Sequence, residues 1–148
     1  MKDNLTPLGL GTSTIASLGS SLSFNSARNL FDAALDLNIR TVDTSNTYGS
    51  GDAERLIGKV IKHKRNNYFI TSKVGLPYLS LPKFLSPLNQ IGKKIFQNLI
   101  IKKCYKKEYI LNNIEKSLRR LKINNLDGYL LHNMLLKDFH EYKDEGFE

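Results

Sequence analysis

The chain has 148 residues, 41% of them hydrophobic and 24% charged, and carries a net charge of +8. That composition belongs to an ordinary globular protein with room for one domain and its core, and a single domain over residues 1–148 is the expectation. The lone cysteine, Cys104, excludes an intrachain disulfide, and no stretch is apolar for the length of a bilayer, so a cytoplasmic protein without a membrane span is expected.

In chain order, LGLGT from Leu8 to Thr12 reads as a short first strand whose glycines let backbone approach a ligand. Asn25 or Ser26 is the expected cap of a helix in which Ala27, Leu30, Phe31, Ala34 and Leu37 recur at helical spacing, and Asn38 is its left-handed stop. Ile39, Thr41 and Val42 form a second strand ending at Asp43. Ser50, Gly51 and Asp52 open a second helix that buries Leu56, Ile57, Val60 and Ile61, with Asp52 and Glu54 suited to its dipole. Gly58 in mid-helix costs about 1 kcal/mol against Ala, which predicts a close approach of that helix to the sheet.

Asn66 and Asn67 turn the chain into a third strand, Tyr68 to Thr71, ending at Ser72 and Lys73. Residues 75–105 then interrupt the rhythm. Pro77, Pro82 and Pro87 break the first half, and Phe84, Leu88, Ile91, Ile95 and Leu99 approximate one apolar helical face among lysines. This basic insertion is expected to pack over the mouth of the fold or against a neighbouring subunit. No acidic residue occurs between Glu54 and Glu108. That charge fits an anionic partner or a solvated basic surface, and since no nucleic-acid module accompanies it, nucleic-acid binding is not expected. Glu108 to Leu121 reads as a helix with Ile110, Ile114, Leu118 and Leu121 aligned. LDGYLL, from Leu126 to Leu131, is a fourth strand that delivers His132, and residues 139–148 begin a further helix.

Strands alternating with helices across short connections predict parallel βαβ units, in which chemistry gathers at the carboxyl ends of the strands. Asp43, Tyr48, Lys73 and His132 all fall there. A carboxylate at Asp43 needs a cation, which Lys73 supplies, and the same ammonium can serve the phenol of Tyr48. His63 and His140 lack such company and read as surface residues, as does the thiol of Cys104. No His or Cys spacing suggests a metal.

With those residues in place, the chain resembles the aldo-keto reductases. LGLGT, TVDTSNTYGSGDAERLIG from Thr41, FITSKVG from Phe69 and SLRRLKINNLDGYLLHN from Ser117 occur in that family's order. The resemblance implies reversible reduction of a small aldehyde or ketone by NADPH or NADH, with Asp43, Tyr48, Lys73 and His132 as the catalytic tetrad. Tyr48 would donate the proton, Lys73 ease its release, Asp43 hold Lys73, and His132 orient the carbonyl. Gly11, Thr12 and Asp43 match positions bordering the nicotinamide end of the cofactor.

The implied fold class is α/β, a TIM-type barrel of parallel (β/α) units, with only the first four strands present. A whole barrel takes ~250 residues, and the family's second half carries most cofactor contacts. The expectation is therefore a truncated reductase, with completion by a second chain or by self-association as the other routes. Two further readings stand beside it: an inactive binding or regulatory protein that keeps part of the fold, and Schiff-base chemistry at Lys73.

Overall fold

The computed structural model describes residues 5–16, 21–78 and 102–144. Four parallel strands form one sheet in the order β1 (Gly9–Gly11), β2 (Thr41–Asp43), β3 (Phe69–Val74) and β4 (Gly128–Leu131). The intervening helices are α1 (Phe24–Asp36), α2 (Asp52–Val60) and α3 (Lys107–Leu121), and α4 (Leu136–Tyr142) follows β4. In the strand register, Gly11 stands beside Asp43, Asp43 beside Thr71, and Thr71 beside Gly128. The alternating strand and helix pattern thus gives the parallel half-barrel that it predicts. Both edges of the sheet are unpaired among the described residues. Leu8 at one edge and Leu130, Leu135 and Leu136 at the other are exposed.

Side chains alternate between the two faces of a strand, and here the alternation separates two environments. Val42, Ile70, Ser72 and Val74 are buried on the helical side, where Phe31, Ala53, Ile57, Ile61, Tyr68 and Leu121 complete the core. Each fully buried Phe or Ile contributes about 1.5–3 kcal/mol. Thr41, Asp43, Phe69, Thr71 and Lys73 share the opposite face and are only partly covered.

Helix α1 starts two or three residues earlier than expected. Ser23 is the cap, its side chain accepting the N–H of Ser26 at 3.1 Å. The expected caps Asn25 and Ser26 lie inside the helix, because Ser23 sits three residues before a free N–H and takes it first. Asn38 adopts the left-handed conformation, with φ 55°, as the stop requires. β4 begins at Gly128 rather than Leu126, since Asp127 is used as a clamp. Its Oδ2 accepts the Ile70 N–H at 2.7 Å and Arg65 Nη2 at 2.7 Å. This locks the amino ends of β3 and β4 together. His63 and His140 are exposed, as expected, whereas Cys104 is half-buried.

Gly58 answers a different contact from the one expected. A Cβ there would meet the carbonyl oxygen of Leu121 at 2.3 Å, so the close approach is to the end of α3 and not to the sheet. Backbone cannot rotate away as a side chain can. Gly58→Ala is therefore expected to destabilise the fold by about 1–3 kcal/mol through overpacking, despite a helix-propensity gain of about 1 kcal/mol. Urea unfolding measures the difference, and an alanine variant as stable as the parent would mean that α3 packs farther off.

Helix α3 buries a stripe of Asn113, Ser117 and Leu121, with Ile110, Ile114 and Leu118 flanking it half-buried. The apolar face of the expected insertion, Phe84 to Leu99, lies outside the described residues. Its flanks converge beside the end of β3, where Cys104 N donates to Gly75 O at 3.0 Å. Gly75 has φ +122°, and a Cβ there would stand 2.0 Å from the Tyr105 ring. Among the described residues no helix is long and apolar enough to cross a membrane.

Candidate active site

The carboxyl ends of β2, β3 and β4 bring Asp43, Tyr48, Lys73 and His132 to one rim. Asp43 closes β2, Lys73 stands next to last in β3, and His132 follows the last residue of β4. Tyr48 opens a 3-10 turn, Tyr48–Gly51, leading into α2. Gly49 in that turn has φ +56°, and a Cβ there would lie 2.4 Å from Ala16 O. The turn can therefore hold Tyr48 down on the rim only with glycine behind it.

Lys73 is the hub. Its Nζ donates to Asp43 Oδ2 at 2.6 Å, to Thr44 O at 2.9 Å and to Tyr48 Oη at 3.2 Å. An ammonium has three protons, and these acceptors take all of them. Tyr48 Oη therefore accepts from Lys73 and keeps its own proton for another partner. The second carboxylate oxygen of Asp43 accepts from Thr71 Oγ1 at 3.0 Å. The Lys73 side chain is 15% exposed against 39% for that of Asp43, so the pair opens to solvent on the Asp43 side.

The His132 ring stands edge-on to the Tyr48 ring, centroids 6.0 Å apart. Ser45 Oγ lies 3.0 Å from its Nδ1, leaving Nε2 as the ring's other polar atom. The backbone is fixed at both ends, with His132 N donating to Val74 O at 2.6 Å and His132 O accepting from Tyr105 Oη at 2.8 Å. Burial lowers the His132 pKa, the Lys73 charge lowers it further, and Asp43 pulls the other way. The net shift is downward from ~6.5, so the ring is neutral at pH 7. Burial, together with Asp138 and Tyr142, pushes the Tyr105 phenol up to about 12, which keeps it a donor to His132.

Gly11 and Thr12 lie on the adjoining strand end. Nothing stands within 4 Å of where a Gly11 Cβ would be. Thr12 is buried, its hydroxyl donating to Asp43 O at 2.9 Å.

Sequence reasoning passed over Ser45, Thr71 and Tyr105. Thr71 could have been found from period-two alternation, since it shares a face with Lys73 and stands opposite Asp43 in the register. Tyr105 lies at the far end of a long interruption and offers no local signal.

A model described as the Aldo/keto reductase family matches residues 7–138. An uncharacterized oxidoreductase, YqkF of Bacillus subtilis, is 28% identical over 132 residues, covering 82% of this chain and 37% of that protein. The holo form of the aldo-keto reductase AKR11C1 from Bacillus halodurans matches with a TM-score of 0.65 at 26% identity, over 94% of this chain and 42% of that one. A Klebsiella pneumoniae aldo-keto reductase solved in complex with NADPH matches in fold, with a TM-score of 0.59 at 24% identity, over 93% of this chain and 41% of its own. The chain therefore spans well under half the length of these relatives.

Proposed function

The chain belongs to the aldo/keto reductase family, and from that premise we propose that its rim reduces an aldehyde or ketone with NADPH or NADH, Tyr48 giving the proton. The observation that carries this reading is the saturation of Lys73. With Asp43, Thr44 and Tyr48 taking its three protons, the hydroxyl proton of Tyr48 is the one available to a substrate oxygen.

Gly11, Thr12 and Asp43 fit the nicotinamide end of the cofactor. Open space at Gly11 admits a flat ring, and the exposed side of Asp43 retains lone pairs for an amide. Donors for the phosphates would come from further strands, which the unpaired sheet edges can accept. We propose that such strands are supplied by a longer chain, a second chain or another copy of this one.

When bound, NADPH or NADH supplies the hydride to the carbonyl carbon. Tyr48 donates its proton to the carbonyl oxygen, and the Lys73 ammonium stabilises the charge left on the phenol oxygen. Asp43, itself held by Thr71, keeps Lys73 on that line. His132, neutral at the rim, hydrogen-bonds the same carbonyl oxygen and fixes its direction.

Schiff-base chemistry is disfavoured by the same observation. An amine must shed a proton to attack, and each proton of Lys73 is engaged.

Titration of NADPH into the purified chain, followed by the cofactor's fluorescence with light scattering for mass, tests the reading. Saturable binding is expected, together with NADPH consumption when small aldehydes are added. A folded, soluble chain that binds no NADPH at any mass would favour the inactive binding protein instead.

A further inference from the structure

Ser45 and Thr47 lie in the loop between Asp43 and Tyr48, and both are buried. Ser45 Oγ is 3.0 Å from His132 Nδ1, 3.0 Å from Thr47 Oγ1 and 3.2 Å from the Thr47 N–H that it accepts. A serine hydroxyl has one proton and two lone pairs. Asn46 Oδ1 lies 3.5 Å from Ser45 Oγ, well beyond the usual O–H···O distance of about 2.7–2.8 Å, and competes only weakly for the proton. With the Thr47 N–H on one lone pair, the proton and the other lone pair are divided between His132 and the Thr47 hydroxyl.

Two arrangements complete this set. In one, Thr47 O–H donates to Ser45 and Ser45 O–H donates to Nδ1. In the other, Nδ1–H donates to Ser45, Ser45 donates to Thr47, and the Thr47 proton is left over. Among the described residues Ser45 Oγ is the only side-chain partner of Thr47 Oγ1. The second arrangement thus strands a buried donor, which is costly, and the first strands none. The remaining groups facing the ring are Tyr48, Lys73 and Asp43, none of them bonded to Nδ1.

The geometry points to Ser45 as a positioning residue: backed by Thr47, it hands its proton to Nδ1 and keeps the His132 proton on Nε2. Resting on the carbonyl-reductase reading, this makes Nε2–H a fixed donor to the substrate oxygen. A ring free to exchange tautomers would offer a lone pair there for part of the time and repel that oxygen.

Nitrogen-15 NMR of the histidine-labelled full chain at neutral pH reads the tautomer directly, with His132 assigned by its loss in His132→Gln. The expected pattern has a protonated Nε2 and an unprotonated Nδ1. A protonated Nδ1 in the parent protein overturns the proposal, whether or not any variant folds. In Ser45→Ala the ratio of the Nε2–H to the Nδ1–H form should fall about fivefold, the worth of one ordinary hydrogen bond. An unchanged pattern in folded Ser45→Ala would show that Ser45 does not set it. Thr47→Val should weaken the bias less, since Ser45 keeps its proton. The tautomer is read without cofactor, so failure of NADPH binding and failure of the Ser45 assignment are separate results.

Discussion

Replacing Glu54 by Ala is expected to lower stability by about 3–5 kcal/mol, the usual cost of leaving half of a buried ion pair unmatched. Glu54 is fully buried and its Oε2 accepts from Arg120 Nε at 2.6 Å, while Oε1 accepts from Ser72 Oγ at 2.6 Å. Arg120 is 10% exposed at its side chain and also donates to Ser117 Oγ at 3.0 Å. One carboxylate thus ties α2 to β3 and α3. The size of the effect comes from the stranded guanidinium more than from the bond itself. A double variant, Glu54→Leu with Arg120→Leu, should recover much of the loss, because apolar replacement of both partners is often close to neutral. Urea midpoints of the two variants decide it. A loss below about 1 kcal/mol in the single variant would place the pair among solvated surface bridges.

Tyr48→Phe is expected to cut carbonyl reduction by about 10²–10⁴-fold, the range that a positioned proton donor supplies, while the fold is retained. The phenol ring stays half-buried beside Lys73, whose Nζ lies 4.9 Å from the ring centroid, and only the hydroxyl is removed. Lys73 then keeps Asp43 and Thr44 as acceptors and turns its third proton to solvent. NADPH consumption at saturating cofactor, with circular dichroism as the control for folding, reads both halves of the claim. Turnover equal to that of the parent would remove Tyr48 from the mechanism. Borohydride trapping at Lys73 in the presence of a carbonyl compound would favour imine chemistry instead.

The sequence made the elements and the rim legible because both rest on local signals. Short runs of β-branched and aromatic residues bounded by turn formers place β3 within a residue or two of its observed span, and Asp43, Lys73 and His132 each fall at the end of such a run. Contacts between distant residues were not legible. Glu54 reads as an ordinary first-turn acid suited to a helix dipole, and only the fold reveals Arg120, 66 residues away, as its partner. The buried stripe of α3 is only partly legible for a related reason. Apolar periodicity selects Ile110, Ile114, Leu118 and Leu121, of which Leu121 is buried, whereas Asn113 and Ser117 complete the buried stripe. They can do so, since Asn113 Nδ2 donates to Tyr109 O and Ser117 accepts from Arg120. Gly58 announced a close approach but not its direction.

The division of the sheet into a helix-packed face and an open one has a practical side. Phe69 and Leu130 project on the same side as Lys73, outside the buried core. Leu130, the register partner of Lys73, is the position at which randomisation would sample new binding preferences beside the reactive rim, whereas Phe69 lies at the amino end of β3, about 13 Å away along the strand. The helical side, by contrast, is the part to leave untouched, or to reinforce first, in any directed-evolution campaign.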